Sequence, residues 1–110
     1  MTETKFLARQ GDVLVERVDS IPADAKTKPR DRNRVILAYG EVTGHAHQIA
    51  DPDAAGAVLL TVAESATFLR LAKKAQLVHE EHAVINIPAG DYKITIQREY
   101  QYGETMKVRD

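Results

Sequence analysis

Short apolar runs separated by turn residues recur along the whole chain, and this pattern constrains the fold more than any other feature. Val, Ile, Leu and Thr dominate the runs, whereas an apolar repeat with the period of a helix is nowhere sustained for three turns. The clearest run covers 91–101, where Tyr92, Ile94 and Ile96 alternate with polar residues and give the strand one buried and one solvated face. The pattern predicts an all-β chain.

Further runs of the same character are predicted as strands at 11–18, 34–40, 45–50, 57–62, 66–71, 75–79 and 83–87. About eight short strands predict a single small β-barrel or a two-sheet β-sandwich. Because the sequence shows no internal repeat or linker, residues 1–110 are expected to form one domain. Between strands, 51–56 is interpreted as a loop, 22–25 as a short helical turn, and Lys73-Lys74 as the tip of a hairpin.

Charge and hydropathy narrow the expected partners. Fifteen basic and sixteen acidic side chains give a net charge of −1, so no overall field attracts a nucleic-acid backbone or an anionic lipid surface. The basic segment 26–34 could make a local phosphate contact, but a solvated, mobile loop is the favoured interpretation, because no aromatic residue is interleaved there for base stacking. No apolar stretch has the length of a signal peptide or a membrane span. The expectation is a soluble cytoplasmic protein without a membrane or nucleic-acid partner.

The four histidines of the chain form two close pairs, His45 with His47 and His79 with His82. Random placement would give two such pairs in about one chain in a hundred, so the clustering indicates a shared role. Residues i and i+2 of a strand point to the same side, so the first pair would present two imidazoles together. The second pair has the spacing i and i+3, and its rings can meet only if the two residues between them form a corner.

With that corner, three or four histidine nitrogens are predicted to converge on one divalent transition metal ion. Because cysteine is absent, the ligands must be nitrogen and oxygen atoms, a set that suits Zn, Fe, Mn, Ni or Cu. A carboxylate from Glu41, Glu64, Glu80 or Glu81 would complete the site. Glu41 lies on the face of the first histidine pair if strand geometry persists from 35 to 49, although Gly40 and Gly44 favour a turn. The predicted ligands are therefore His45, His47, His79, His82 and Glu41.

Two alternatives stand beside these predictions. The histidines could lie on the surface of two adjacent hairpins and hold no ligand, and Glu41 could be an exposed turn residue. Arg98 continues the inward row of the 91–101 strand, with Asp91 and Glu99 nearby in the sequence. It could meet an anionic substrate, but a structural ion pair is the favoured interpretation.

The His45-Ala-His47 segment and the later Ile87-Pro-Ala-Gly-Asp-Tyr92 resemble the cupin family of small metal-binding β-barrels. Cupins carry a glutamate ligand and a final histidine at positions where this chain has Asp51 and Lys93, so only the two histidines can be carried over. The segments 11–17, 25–29 and 34–40 are similar to the small co-chaperonin that caps the bacterial chaperonin ring. That resemblance implies a barrel topology without the capping activity.

Three functions are compatible with these residues. The first is a cupin-like metalloenzyme, such as an isomerase or oxygenase, with a small-molecule ligand at an open coordination position. The second is a non-catalytic protein whose structure is stabilised by its metal ion. The His45-Ala-His47 pair resembles that of phage spike tips, which are homo-oligomers in which three chains supply histidines to one ion. The third is a metal-free binding or co-chaperonin-like barrel.

Overall fold

The computed structural model describes residues 6–40, 44–63 and 66–97, and nearly all of the regular structure in these ranges is β. The strands within them are β1 (Leu7–Gln10), β2 (Val13–Arg17), β3 (Lys26–Thr27), β4 (Val35–Tyr39), β5 (Ala46–Ile49), β6 (Val58–Val62), β7 (Ala66–Leu71), β8 (Ala75–His79), β9 (His82–Ile87) and β10 (Gly90–Ile96). One short helix, α1 (Pro52–Ala55), lies between β5 and β6. In the described ranges, no helix is long and apolar enough to cross a membrane.

The strands form two antiparallel sheets. The larger sheet has the order β1-β2-β10-β7-β6-β3, and the smaller has the order β4-β5-β8-β9. The expected all-β class and its sandwich form are confirmed. The closed barrel is wrong for the described residues, because each sheet ends in edge strands and no ladder of hydrogen bonds closes it.

The alternation predicted around Tyr92 is present in β10. Tyr92 and Ile94 are buried while Lys93 between them is exposed, and Ile94 lies opposite the fully buried Val15 of β2. Apolar rows of both sheets meet in one core, whose largest fully buried members include Ile49, Leu69, Leu77, Ile87 and Tyr92. Burial of such a side chain contributes about 1.5–3 kcal/mol, so the sandwich is stabilised chiefly by this layer.

Several local predictions are wrong. The segment 51–56 contains α1, because Pro52 fits the first turn of a helix and Gly56, with φ 61°, ends it in the left-handed region. The segment 22–25 is a turn closed by a 3.0 Å hydrogen bond from Ala25 N–H to the Pro22 carbonyl. Residues 72–74 carry the chain from β7 in one sheet to β8 in the other, so Lys73-Lys74 does not tip a hairpin.

The two strands absent from the sequence prediction, β1 and β3, are both short and contain few buried residues. β3 has two residues, and β1 has four with only Gln10 buried, so neither shows an apolar alternation that could be recognised. The predicted strand 91–101 is observed as β10 up to Ile96. Residues 98–101 of that prediction, including Arg98 and Glu99, lie outside the described ranges.

Candidate metal centre

The first histidine pair lies at the start of β5. His45 precedes the strand and His47 is its second residue, buried to 2% exposure. The ring centroids of His45 and His47 lie 5.8 Å and 4.2 Å from that of His79. Both rings therefore approach the same neighbour, as the i, i+2 spacing predicts for side chains on one side of a strand.

The second pair flanks a two-residue turn. Residues 80 and 81 connect β8 to β9, and His79 lies opposite His82 in the strand register. In a hairpin with a two-residue turn, the flanking residues face each other and their side chains share one side of the sheet. Their ring centroids are 4.7 Å apart. The predicted corner at Glu80-Glu81 is confirmed.

Sheet pairing brings the two pairs together. β5 and β8 are antiparallel neighbours with Gln48 opposite Val78, and one further step of this register places His47 beside His79. The ring of His82 in turn lies 5.7 Å from that of His47, in a nearly parallel orientation. We call His45, His47, His79 and His82 the histidine cluster. Glu41, the fifth predicted ligand, and Glu64, one of the possible carboxylate ligands, lie outside the described residues.

The end of β1 and the turn that follows it add two residues, Gln10 and Asp12, which were not predicted from the sequence. The Oδ1 atom of Asp12 lies 3.6 Å from Nε2 of His47. The side-chain amide of Gln10 is buried and contacts Nδ1 of the same ring through its oxygen at 2.8 Å. No spacing signal links these residues to the histidines, because 37 positions separate Gln10 from His47.

Two groups of the site have shifted pKa values. Burial lowers the pKa of His47 below 6.5, and the neighbouring charge of His79 acts in the same direction against the opposing effect of Asp12. A hydrogen bond of 3.0 Å from Ala46 N–H lowers the pKa of Glu80. At neutral pH the site therefore combines a neutral imidazole with an ionised carboxylate, which are the protonation states that bind metal ions.

One nitrogen of the cluster has an unusual environment. Within the described parts of the chain, Nδ1 of His45 is the one buried side-chain nitrogen or oxygen without a hydrogen-bond partner. Oε2 of Glu81 lies 3.8 Å from this atom, beyond hydrogen-bond distance. His45, His79 and Glu80 can each offer a ligand atom such that the three atoms lie within 4.8 Å of one another. The residue with the unpartnered nitrogen thus also belongs to the group whose donor atoms converge.

His79 has a competing interaction. Its Nδ1 accepts a 3.0 Å hydrogen bond from the backbone N–H of Glu81, so the proton of the neutral ring resides on Nε2. An ion at Nδ1 would displace that N–H, and an ion at Nε2 would move the proton to Nδ1. Coordination by the neutral ring therefore requires that this hydrogen bond opens.

The cluster borders an open cavity of about 280 Å³, lined by the four histidines together with Asp12, Tyr39, Gly40 and Glu81. Asp91 lies away from this cavity. Its Oδ1 accepts from Nε of Arg70 at 3.0 Å between β10 and β7, where it forms a structural ion pair.

The sequence profile of the family DUF8820, described as a domain of unknown function, matches residues 9–97. The chain therefore belongs to this family. The matched range includes all four histidines as well as Gln10 and Asp12. Comparisons with curated proteins and with solved structures gave no match.

Proposed function

We propose that this DUF8820 protein binds a divalent transition metal ion at the histidine cluster. The observation that carries the proposal is the buried Nδ1 of His45, which has no hydrogen-bond partner although the ring of His79 lies beside that of His45 and the two histidines offer convergent ligand atoms together with Glu80. A buried polar atom without a partner costs about 1–3 kcal/mol. Coordination of an ion would remove that cost, because the lone pair would then be used.

The donor set supports the same proposal. His45, His79 and Glu80 supply the convergent atoms, with His47, His82 and Asp12 beside them. Imidazole nitrogen and carboxylate oxygen suit Zn, Fe, Mn, Ni or Cu. A hard Ca²⁺ site is disfavoured, because such sites are built from oxygen ligands alone.

Metal analysis of protein purified without a histidine tag tests the proposal. After exposure to Zn²⁺ or Ni²⁺ and removal of excess metal, we expect about one ion per chain in the wild type and a marked loss in His45→Ala. Asp24→Asn provides a control, because Asp24 is an exposed carboxylate in the turn at 22–25. No metal retention by the folded wild type with any of the five candidate metals would contradict the proposal.

The open cavity favours a specific use of the ion. A structural ion is normally enclosed by four protein ligands, whereas a catalytic ion keeps a position for water or substrate. A space of about 280 Å³ beside the imidazoles is large enough for a small molecule, so we propose an exchangeable coordination position. The cavity therefore favours an ion that binds a small-molecule ligand or substrate over an ion with a purely structural role.

Cobalt substitution distinguishes these uses. If the ion has an exchangeable position, azide should change the visible absorption of the Co²⁺ protein in a saturable manner. An unchanged spectrum would favour the closed structural site. A ratio of one ion to three chains, together with a trimer in solution, would instead favour an ion shared between copies of the protein.

A further inference from the structure

We infer that Gln10 is a positioning residue that fixes the tautomer of His47, with the proton on Nδ1 and the lone pair on Nε2. The nitrogen left with the lone pair is the one that faces Asp12 at the cavity. The assignment of the tautomer stands on the hydrogen bonds alone. Its consequence for metal affinity rests on the proposed function.

The orientation of the Gln10 amide is determined by two backbone carbonyls. Its Nε2 donates to the carbonyl oxygen of Leu77 at 3.0 Å and to that of Ala83 at 2.9 Å. An amide nitrogen has two N–H donors, and both are used. Rotation of the amide by half a turn would place its oxygen against these two carbonyls, in a side chain that is only 2% exposed. The amide oxygen must therefore be the atom that meets His47.

This orientation decides the tautomer of the ring. The Oε1 atom of Gln10 lies 2.8 Å from Nδ1 of His47, and an amide oxygen can only accept. Nδ1 must therefore donate, and a neutral imidazole with a proton on Nδ1 has its lone pair on Nε2. The opposite tautomer would place two acceptors against each other in a buried position. Metal-binding histidines generally have this arrangement, in which the second ring N–H is donated to an oxygen atom.

Gln10 also connects the two sheets at this point. It belongs to β1 of the larger sheet, whereas its three partners lie in or beside β5, β8 and β9 of the smaller sheet. The residue that orients His47 is thus supplied by the opposite layer of the sandwich. Among the four histidines, His47 is also the most buried.

Nitrogen NMR of the metal-free wild type tests the tautomer directly. At pH 8, two-bond ¹H–¹⁵N correlations should show His47 with the proton on Nδ1. This measurement needs no variant and no metal, so it decides the inference even if the proposed metal site is wrong. Observation of the proton on Nε2 would overturn the inference.

Substitution tests the positioning role. Gln10→Met keeps the length of the side chain but removes the amide, and we expect a mixture of tautomers together with a loss of metal affinity of about 10–100-fold. Gln76→Met is the matched control, because Gln76 is exposed on β8 and its amide donates to Asn86 Oδ1 at 3.2 Å.

The control should keep both the tautomer and the affinity of the wild type. Gln10→Glu retains an acceptor for Nδ1 without the two donors, so it should preserve the tautomer better than Gln10→Met. A folded Gln10→Met protein with the wild-type tautomer and affinity would overturn the positioning role. If the wild type binds no metal but His47 has the predicted tautomer, the proposed function fails and the assignment of Gln10 stands.

Discussion

His79 lies at the centre of the histidine cluster. Its ring centroid is 4.2, 4.7 and 5.8 Å from those of His47, His82 and His45. His79 also supplies one of the three convergent ligand atoms, together with His45 and Glu80. His82, by contrast, is exposed at the start of β9. The four residues are therefore not equivalent, and substitutions should have unequal effects.

We predict strong coupling between the histidine pairs. His47→Ala and His79→Ala should each remove most metal binding, and the double variant should lose little more, because ligands of one ion act as a unit. His82→Ala should be intermediate. Isothermal titration with Zn²⁺ measures these losses. Small additive effects at both positions would instead indicate independent surface histidines.

Gly11 should be sensitive to the addition of a single methyl group. A Cβ atom there would lie 2.8 Å from Nε2 of His82 and 3.2 Å from Cε1 of His47, at a φ of +59°. Gly11→Ala should destabilise the fold by about 1–2 kcal/mol through the left-handed backbone alone and should also weaken metal binding by displacing the two rings.

Gly56→Ala is the control for Gly11→Ala, because Gly56 has a φ of +61° and an equally close contact with Ala72, away from the histidines. It should lose comparable stability in urea unfolding while it retains metal affinity. Equal metal affinity in the two variants would contradict the role assigned to the space beside Gly11.

At the scale of elements, the β8–β9 hairpin shows what local sequence can predict. The spacing of His79 and His82 required a corner at the two glutamates, and the two-residue turn provides it. Most strands were likewise predictable from apolar alternation. The contribution of β1 was not, because its only buried residue, Gln10, is polar and meets its partners through long-range contacts. The order of the strands in the two sheets brings the site residues together. This order depends on long-range packing, so it could not be predicted from local sequence patterns.

Metal binding should alter the hairpin turn. Since coordination of neutral His79 requires its hydrogen bond with Glu81 N–H to open, the amide signal of Glu81 should shift and exchange faster with solvent when Zn²⁺ is added. The amide of Ala50, bonded to the Gln76 carbonyl at 2.9 Å, is the internal reference and should remain protected. A Glu81 amide that keeps its shift and protection in the metal-loaded protein would exclude His79 as a ligand.

At the scale of the whole molecule, stability depends on a core shared by both sheets and on groups that titrate within it. Tyr92 is fully buried, and its hydroxyl donates to the Pro88 carbonyl at 2.5 Å. Burial raises the pKa of Tyr92 above 10, although the nearby Arg17 acts in the opposite direction. Folding therefore favours the protonated phenol.

This shift predicts a loss of stability at alkaline pH. The folded-state pKa of Tyr92 is higher than the unfolded value, so its contribution is complete below pH ~10 and is lost as the pH rises through the folded pKa. Urea unfolding between pH 8 and 11 measures the effect. Tyr92→Phe should be about 0.5–1.5 kcal/mol less stable at pH 8 because the hydroxyl bond is lost, and its stability should fall less steeply above pH 10. Parallel curves would contradict this assignment.

If the protein binds an ion as proposed, removal of the ion should lower the melting temperature. A ligand at 100 times its Kd stabilises the native state by about 2.7 kcal/mol, which corresponds to about 10 °C for a domain of this size. A chelator should therefore shift the melt of the metal-loaded wild type by that amount and leave His45→Ala unchanged. Identical melts of the wild type with and without chelator would argue against a tightly held ion.

The histidine cluster belongs to the smaller sheet, whereas Gln10, which orients His47, belongs to the larger one. The affinity for an ion bound to His47 would therefore change if the distance between the two sheets changed. Substitutions that repack the core far from the histidine cluster would then alter the metal affinity, although the ligands themselves would be unchanged.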